Sequence, residues 1–284
     1  MKKLNLNVRK TFFLLILLNA VAAIGLITGW MKYSTSLSEV EEAHSSRFAS
    51  YLLADELRQS SDDLTRLVRT YVVTGDTSYK DQYFDVIAIR NGEKARPEQY
   101  HRIYWDFVAG GNASPRPGTE KKALLALMKE AGFSEAELGK LAEAVSLSDA
   151  LVNLEVEAME LVEGKGKDGA ATPDDIARAR ELVHSRQYHT SMAKIMKPVD
   201  EFFVLLDKRT GAAVASAQSS AAANEKLLFV ALGIMLATMI ALCAFVLTRV
   251  IGGLEKLKQA MHSIVGGALE TDVPFRSRAD EIGE

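Results

Sequence analysis

Two long apolar runs limit what this chain can fold into. Residues 11–30 and residues 227–247 contain no charged side chain. A helix that crosses a bilayer needs about 20 consecutive apolar residues, and each run meets that length. We therefore predict two membrane-spanning helices, at 11–30 and 227–247. The roughly 200 residues between them, 31–226, are enough for a domain with its own core.

Basic residues flank the outer ends of both runs and predict the orientation of the chain. They are Lys2, Lys3, Arg9 and Lys10 before the first run, and Arg249, Lys256 and Lys258 after the second. Because basic loops stay on the cytoplasmic side, residues 1–10 and 248–284 are predicted to be cytoplasmic and 31–226 external. A cleaved signal peptide is the alternative for the first run. It fits less well, because this run is longer than the usual 7–15 residues and no small-x-small cleavage site follows.

Composition argues against several classes of function. The net charge is −3 and the middle domain holds the acidic excess, so nucleic acid is not an expected partner. The only cysteine, Cys243, lies inside the second apolar run, which excludes an intrachain disulfide. His184 and His189 are five residues apart and do not share a helix face, so no metal site is expected. Since no catalytic motif is present either, we predict neither an enzyme nor a cofactor.

The middle domain has the sequence pattern of an all-α protein. No Gly or Pro interrupts 31–74, where Leu53, Leu57, Leu64, Leu67 and Tyr71 occupy the apolar positions of one heptad frame. Further helices are expected at 77–90, 119–130, 135–163 and from 173 onward, with Pro198 as a point where the last helix could bend or restart. The first and last helices would each continue into a span. We therefore predict an elongated antiparallel bundle of the four-helix type, with an inserted loop and short helices.

Residues 248–284 carry a second recognisable pattern. An amphipathic stretch from Thr248 is followed by a Gly-x-Leu turn, a Val-Pro pair and an Asp-Glu-Ile-Gly sequence. This segment resembles the HAMP linker of bacterial transmembrane receptors. The matching residues are Gly267, Leu269, Val273, Pro274, Asp280, Glu281, Ile282 and Gly283. HAMP units are parallel four-helix bundles made by two chains, so the resemblance implies a homodimer. Gly252-Gly253 stands where the family usually has a proline, and the sequence ends as the second HAMP helix would begin.

Two spans, a helical external domain and a HAMP linker together resemble the N-terminal half of bacterial methyl-accepting chemotaxis transducers. The resemblance implies a multi-pass inner-membrane receptor whose sensor domain, 31–226, is periplasmic. Its ligand would be an extracellular small molecule or a binding protein, and its output would reach a cytoplasmic kinase through a coupling protein. Sensor histidine kinases and cyclases share this front end and remain alternatives, as does a membrane scaffold without a small ligand.

A short motif strengthens the likeness to extracellular sensors. The sequence from Arg69 to Asp76, followed by Tyr79 and Tyr83, resembles the Arg-x-Tyr-x-x-Thr-Gly-Asp turn of helical sensor domains. The plain alternative is that the tyrosines are core residues while Thr74 and Asp76 cap a turn between helices.

The irregular segment 92–118 is the predicted ligand site. Arginines lie among aromatic residues there, and a guanidinium with ring walls suits an anionic or aromatic small molecule. In the alternative interpretation, the aromatic residues only plug the end of the bundle. The candidate ligand-binding residues are Arg69, Tyr83, Arg90, Asn91, Arg96, Tyr100, Tyr104, Trp105 and Asp106.

Overall fold

The structure, a computed structural model, describes residues 8–112, 115–165, 170–267, 272 and 274–275. All regular structure in these ranges is helical, which confirms the predicted all-α class. The α-helices are α1 (Val8–Thr74), α2 (Thr77–Asn91), α3 (Trp105–Ala109), α4 (Leu124–Glu130), α5 (Glu135–Val162), α6 (Pro173–His184), α7 (Arg186–Phe245) and α8 (Gly252–Val265). A π-helical stretch, Val246–Ile251, joins α7 to α8.

The chain divides into two compact units. The central unit is Glu42–Ala215, and the terminal unit combines Met1–Glu41 with Ser216–Glu284. Two helices, α1 and α7, each contribute to both units.

The helix starts are set by local capping side chains. The Asp76 carboxylate accepts a hydrogen bond from the backbone N–H of Ser78 at the start of α2. Ser134 and Thr172 each begin a capping box, at α5 and α6. Gly92 ends α2 with a left-handed backbone, φ 78°, which a residue without Cβ adopts readily. These boundaries follow the sequence pattern closely because each depends only on neighbouring residues.

Two helix boundaries differ from the sequence expectations. The helix expected from residue 119 begins only at Leu124, because the chain before it is extended and pairs with the 92–118 segment. Pro198 does not restart a helix: α7 continues through it, and its neighbours Ile195 and Val199 are buried. The break lies instead at Ser185, whose extended backbone and hydroxyl begin α7 by accepting from the N–H of Tyr188.

The central unit contains two apolar clusters. The larger cluster draws buried side chains from α1, α2, α3, α5, α6 and α7, and it includes the loop aromatics Tyr100 and Tyr104. The smaller cluster is formed by Ala54, Leu124, Met128, Phe133, Leu141, Phe202 and Leu206. Because the loop aromatics belong to the main core, the packing of the segment 92–118 is coupled to that of the long helices.

The terminal unit contains two helical stretches long and apolar enough to cross a membrane. Their apolar side chains are largely exposed, with Phe13, Leu17, Phe229 and Ile240 as examples. The two stretches are joined by polar contacts: Asn19 Nδ2 donates to the carbonyl of Thr238 (3.2 Å), and the Thr238 hydroxyl donates to Asn19 Oδ1 (3.3 Å). In an apolar surrounding such contacts hold two helices in one register.

Candidate functional site

The irregular segment between α2 and α4, which we call the 92–123 loop, is closed at its neck by backbone contacts. Arg96 N–H donates to the carbonyl of Glu120 (2.8 Å), and Glu98 N–H donates to that of Arg116 (3.2 Å). Gly118 lies so close to Arg96 that a Cβ there would overlap the carbonyl oxygen of Arg96. The neck is therefore tightly packed, backbone against backbone, rather than a loose connection.

The aromatic residues of this loop form an ordered group. Tyr104 and Trp105 meet edge to face, with ring centroids 5.0 Å apart, and Tyr100 meets Tyr104 in the same manner at 5.5 Å. The indole N–H of Trp105 donates to the Tyr100 hydroxyl (2.8 Å). Burial raises the pKa of Tyr100, so its hydroxyl stays protonated over the physiological range. All three rings are buried, as the plug interpretation expects.

A cavity remains beside these rings, between α2 and the loop, and we call it the loop cavity. Its volume is about 190 Å³. Its lining combines aromatic and apolar side chains with polar backbone and side-chain atoms, and three charged side chains reach it. The lining residues are Asp85, Ile89, Lys94, Ala95, Pro97, Tyr104, Trp105, Val108, Arg116, Pro117 and Gly118. Concave sites that bring rings and apolar groups together with a few placed polar groups bind small molecules.

The charged residues of the loop cavity are held in place by the protein. Lys94 Nζ lies 2.5 Å from Asp85 Oδ2. The Arg116 guanidinium is fixed by two loop carbonyls: Nε donates to Glu98 O (3.0 Å) and Nη2 donates to Ile103 O (2.7 Å). The cationic groups are thus pre-positioned before any ligand arrives.

Arg96, a predicted ligand residue, has a different partner. Its guanidinium donates to Glu56 on α1, whose side chain is only 4% exposed. Burial raises the pKa of Glu56 to about 7, although the Arg96 charge and hydrogen bond act to lower it. Arg96 therefore ties the 92–123 loop to α1 and does not line the loop cavity.

Arg69 and Tyr83 lie in a second polar group, centred on the buried Glu155 of α5. Tyr83 Oη donates to Glu155 Oε2 (2.6 Å), and Tyr188 Oη donates to Glu155 Oε1 (2.5 Å). Arg69 lies 5.0 Å above the Tyr188 ring, and its Nε donates to Val183 O. Burial raises the pKa of Glu155, an effect that the two hydroxyl donors oppose. We call this group the Glu155 cluster.

Of the remaining predicted residues, Arg90 lies near the Glu155 cluster, because its charge acts to lower the pKa of Glu155 and of Tyr83, which burial raises. Arg90 borders a small cavity of about 30 Å³ together with Leu57 and Met196. Asn91 is the exposed last residue of α2, and Asp106 is exposed in the first turn of α3. Of the predicted ligand residues, the structure thus brings only Tyr104 and Trp105 to the loop cavity. Of the HAMP residues, Gly267 and Pro274 are described, whereas Leu269, Asp280, Glu281, Ile282 and Gly283 lie outside the described residues.

Sequence reasoning missed five residues that matter here: Asp85, Lys94 and Arg116 at the loop cavity, and the buried carboxylates of Glu56 and Glu155. One signal was available for Glu155, which lies four residues after Leu151 and four before Met159 on the buried face of α5. An acid on an apolar face needs a partner. No comparable pattern marks Asp85 and Lys94, which meet only because the chain turns back at Gly92.

No protein-family model, curated protein sequence or solved structure matches this chain. Among the residues that the structure describes, no group of three or more His, Cys, Asp or Glu side chains is placed to hold a metal ion. The loop cavity is therefore the strongest candidate site, because it combines a ligand-sized volume with aromatic side chains and positioned cations.

The Glu155 cluster predicts a specific pattern of stability. Tyr83→Phe and Tyr188→Phe are each expected to lower the free energy of unfolding by about 2 kcal/mol, since each removes a hydrogen bond to a buried carboxyl group. Tyr79→Phe is the matched control, because the half-buried Tyr79 hydroxyl makes no hydrogen bond to another described side chain. Denaturant unfolding of the three variants measures the difference. An equal loss of unfolding free energy in all three variants would show that the tyrosine hydroxyls that donate to Glu155 do not stabilise the protein.

Proposed function

We propose that this protein is a transmembrane signal receptor whose central unit senses an extracellular small molecule. The observation that carries the proposal is the continuity of two helices. α1 includes both the apolar run 11–30 and the core residues Leu67 and Tyr71. α7 includes both Phe202 and residues 227–245 of the second apolar run. A shift or rotation imposed on a continuous helix within the central unit is passed along that helix.

The packing of the central unit supports a helical bundle in which a shift of one helix would be felt by its neighbours. The larger core cluster takes side chains from α1, α2, α5, α6 and α7. In the proposed arrangement these helices form an antiparallel bundle of the four-helix type, with the 92–123 loop inserted between two of its helices. The orientation, with a periplasmic sensor and cytoplasmic ends, follows from the basic residues outside the two runs.

The segment after the second apolar run supports a HAMP-type output. In α8, the apolar residues Leu254, Leu257, Met261 and Ile264 follow a heptad spacing. Leu254 and Met261 are 59% and 67% exposed in the single chain. A second copy packing along this stripe would cover them, as in a parallel HAMP dimer.

A π-helical stretch, Val246–Ile251, comes directly before Gly252-Gly253, the pair that stands where the HAMP family usually has a proline. Such bulges frequently occur at functional sites, so this stretch suits a junction that repacks. The receptor plan is that of a chemotaxis transducer acting through a coupling protein and a kinase. Sensor kinases and cyclases with the same front end are the alternatives.

A set of single-cysteine variants tests the orientation and the dimer together. In a Cys243→Ser background, Asn224→Cys is expected to react with a membrane-impermeant maleimide in intact cells. Gln259→Cys should react only after permeabilisation, because it lies beyond the second span. Labelling of Gln259→Cys from outside would contradict the receptor topology.

A further single-cysteine variant in the same Cys243→Ser background tests the HAMP-type pairing. Met261→Cys should form an intermolecular disulfide under mild oxidation, because it lies on the apolar stripe. Gln259→Cys, two residues earlier and outside the stripe, should remain monomeric and is the matched control. Equal cross-linking at both positions would show that α8 does not pair through the stripe.

A further inference from the structure

We infer that the loop cavity is a single-subunit binding site for a small monocarboxylate with a short apolar or aromatic body. This inference rests on the proposed function, because it names the ligand class and the residues of the sensor site. It rests on the volume, the charge balance and the rigidity of the cavity, and on the core residues that form its walls.

The volume of the cavity limits the size of its ligand. An engineered protein cavity of about 150 Å³ binds benzene. The loop cavity, at about 190 Å³, has room for a ring or a short chain together with one carboxylate group. Dipeptides and nucleotides are too large for this space. The ligand is therefore a small organic acid.

The charges at the cavity select for a monoanion. Two cations, Lys94 and Arg116, face one anion, Asp85, which leaves one positive charge in excess. Lys94 Nζ bonds one oxygen of Asp85 and keeps further N–H donors for a ligand. Arg116 uses Nε and Nη2 on loop carbonyls, and its Nη1 has no partner among the described residues. Asp85 disfavours a second negative charge on the ligand by like-charge repulsion.

The walls supply apolar contact for the body of the ligand. Trp105 directs its indole N–H to Tyr100, so its ring, and not its polar atom, is available to the cavity. Ile89 and Val108 complete an apolar wall with it. A carboxylate held by the cations would place its apolar body against these residues, which is how such pockets combine affinity with orientation.

The cavity is formed without the ligand, which favours binding. The loop neck is closed by Gly92 and Gly118, at both of which an added Cβ would meet backbone atoms. Little conformational entropy is then lost on binding, because the side chains that line the cavity are already held by the neck and by the core. Tyr104 and Trp105 also belong to the core cluster that contains Leu67 and Tyr71 of α1. A ligand against Trp105 therefore acts on the packing of a helix that includes an apolar run.

Fluorescence of Trp105 provides the readout for the test. The chain has two tryptophans, so Trp30→Phe leaves Trp105 as the only emitter. The 284-residue chain in lipid nanodiscs would be titrated with acetate, propionate, butyrate and benzoate. We expect a saturable fluorescence change with at least one of these acids. The amide of the same acid, its neutral isostere, should bind at least tenfold more weakly.

Three substitutions assign the site. Lys94→Gln and Arg116→Gln should each weaken binding at least tenfold, and Ala95→Leu should abolish it by filling the cavity while leaving every charge in place. Arg102→Gln is the matched control, since Arg102 lies on the same loop, donates to Gln99 and is not among the residues that line the cavity. Its affinity should equal that of the parent. Thermal unfolding of each variant confirms that the loop remains folded.

Two results would overturn the inference. The first is the absence of saturable binding by every acid in the panel. The second is binding that survives both Lys94→Gln and Ala95→Leu. Either result leaves the receptor proposal standing if the cysteine variants show the expected orientation and pairing. Conversely, a reversed orientation refutes the receptor, while binding at the loop cavity is measured independently of it.

Discussion

The substitution Gly118→Ala is expected to lower the free energy of unfolding of the central unit by about 3 kcal/mol, the upper end of the usual range for overpacking. The added methyl group would overlap the carbonyl oxygen of Arg96, and a backbone atom cannot move aside by changing rotamer. The neck of the 92–123 loop must therefore open, and the bond from Arg96 N–H to Glu120 O is lost. Denaturant unfolding in the Trp30→Phe background, followed by Trp105 fluorescence, measures the loss.

Gly139→Ala is the matched control for this substitution. Gly139 lies exposed within α5, and an added Cβ there meets no atom within 4 Å. Because Gly is a poor helix former, alanine at this place should stabilise the protein by about 0.5–1 kcal/mol. The two Gly→Ala changes are thus expected to have opposite signs. A Gly118→Ala variant as stable as the parent would show that the neck is not packed as described.

The second large effect is expected for Arg96→Ala, which should cost about 3–5 kcal/mol at pH 8, the range for breaking a buried ion pair by removing one partner. The substitution leaves the carboxylate of Glu56 buried beside no cation. Arg58→Ala is the control. Arg58 pairs with Asp55 and Asp62 on the exposed surface of α1, where such pairs contribute about 0–1 kcal/mol. Equal losses for Arg96→Ala and Arg58→Ala would contradict the burial of the Glu56 pair.

The pH dependence of stability gives an independent check on Glu56. Its pKa in the folded protein is about 7, above the ordinary value of 4.5, so folding favours its protonated form. Its stabilising contribution is complete below pH 4.5 and is lost as the pH rises through about 7. At about 1.4 kcal/mol per pKa unit, the loss is about 3 kcal/mol.

Two variants separate this group from the other titrating groups. Glu56→Gln should remove this part of the pH dependence. The destabilisation by Arg96→Ala should be smaller at pH 5 than at pH 8, because the carboxyl group of Glu56, left without Arg96, is neutral at pH 5. A Glu56→Gln variant that keeps the full pH dependence of the parent would assign the effect to other groups.

The substitutions Gly118→Ala and Arg96→Ala both test the contacts that couple the candidate site to the long helices. Gly118 closes the loop on itself, and Arg96 fastens the loop to α1. Both lie next to the loop cavity without supplying a cation to it. If the monocarboxylate proposal holds, loosening either contact should weaken binding through the shape of the cavity rather than through its charge.

Helix class and most helix ends could be read from the sequence because they depend on nearby residues. Apolar spacing predicts a buried helix face, while a serine or threonine followed three residues later by an acid predicts its start, as at Ser134 and Thr172. The two apolar runs are equally local, since length and composition alone define them. The continuation of α7 through Pro198 has the opposite cause. The packing of Ile195 and Val199 outweighed the local preference of proline, and only the fold reveals that packing.

The candidate site divides in the same way. The sequence identified the 92–118 segment as unusual because arginines and aromatic rings are concentrated there, and the chemistry of those residue types does not depend on the fold. Which of them share a cavity was decided by tertiary structure. Arg96 forms an ion pair with Glu56 on α1. Asp85, Lys94 and Arg116 line the same cavity as Trp105, because the chain turns back at Gly92. The partner of a charged side chain is chosen by burial and long-range packing, which leave no periodic signal along the chain.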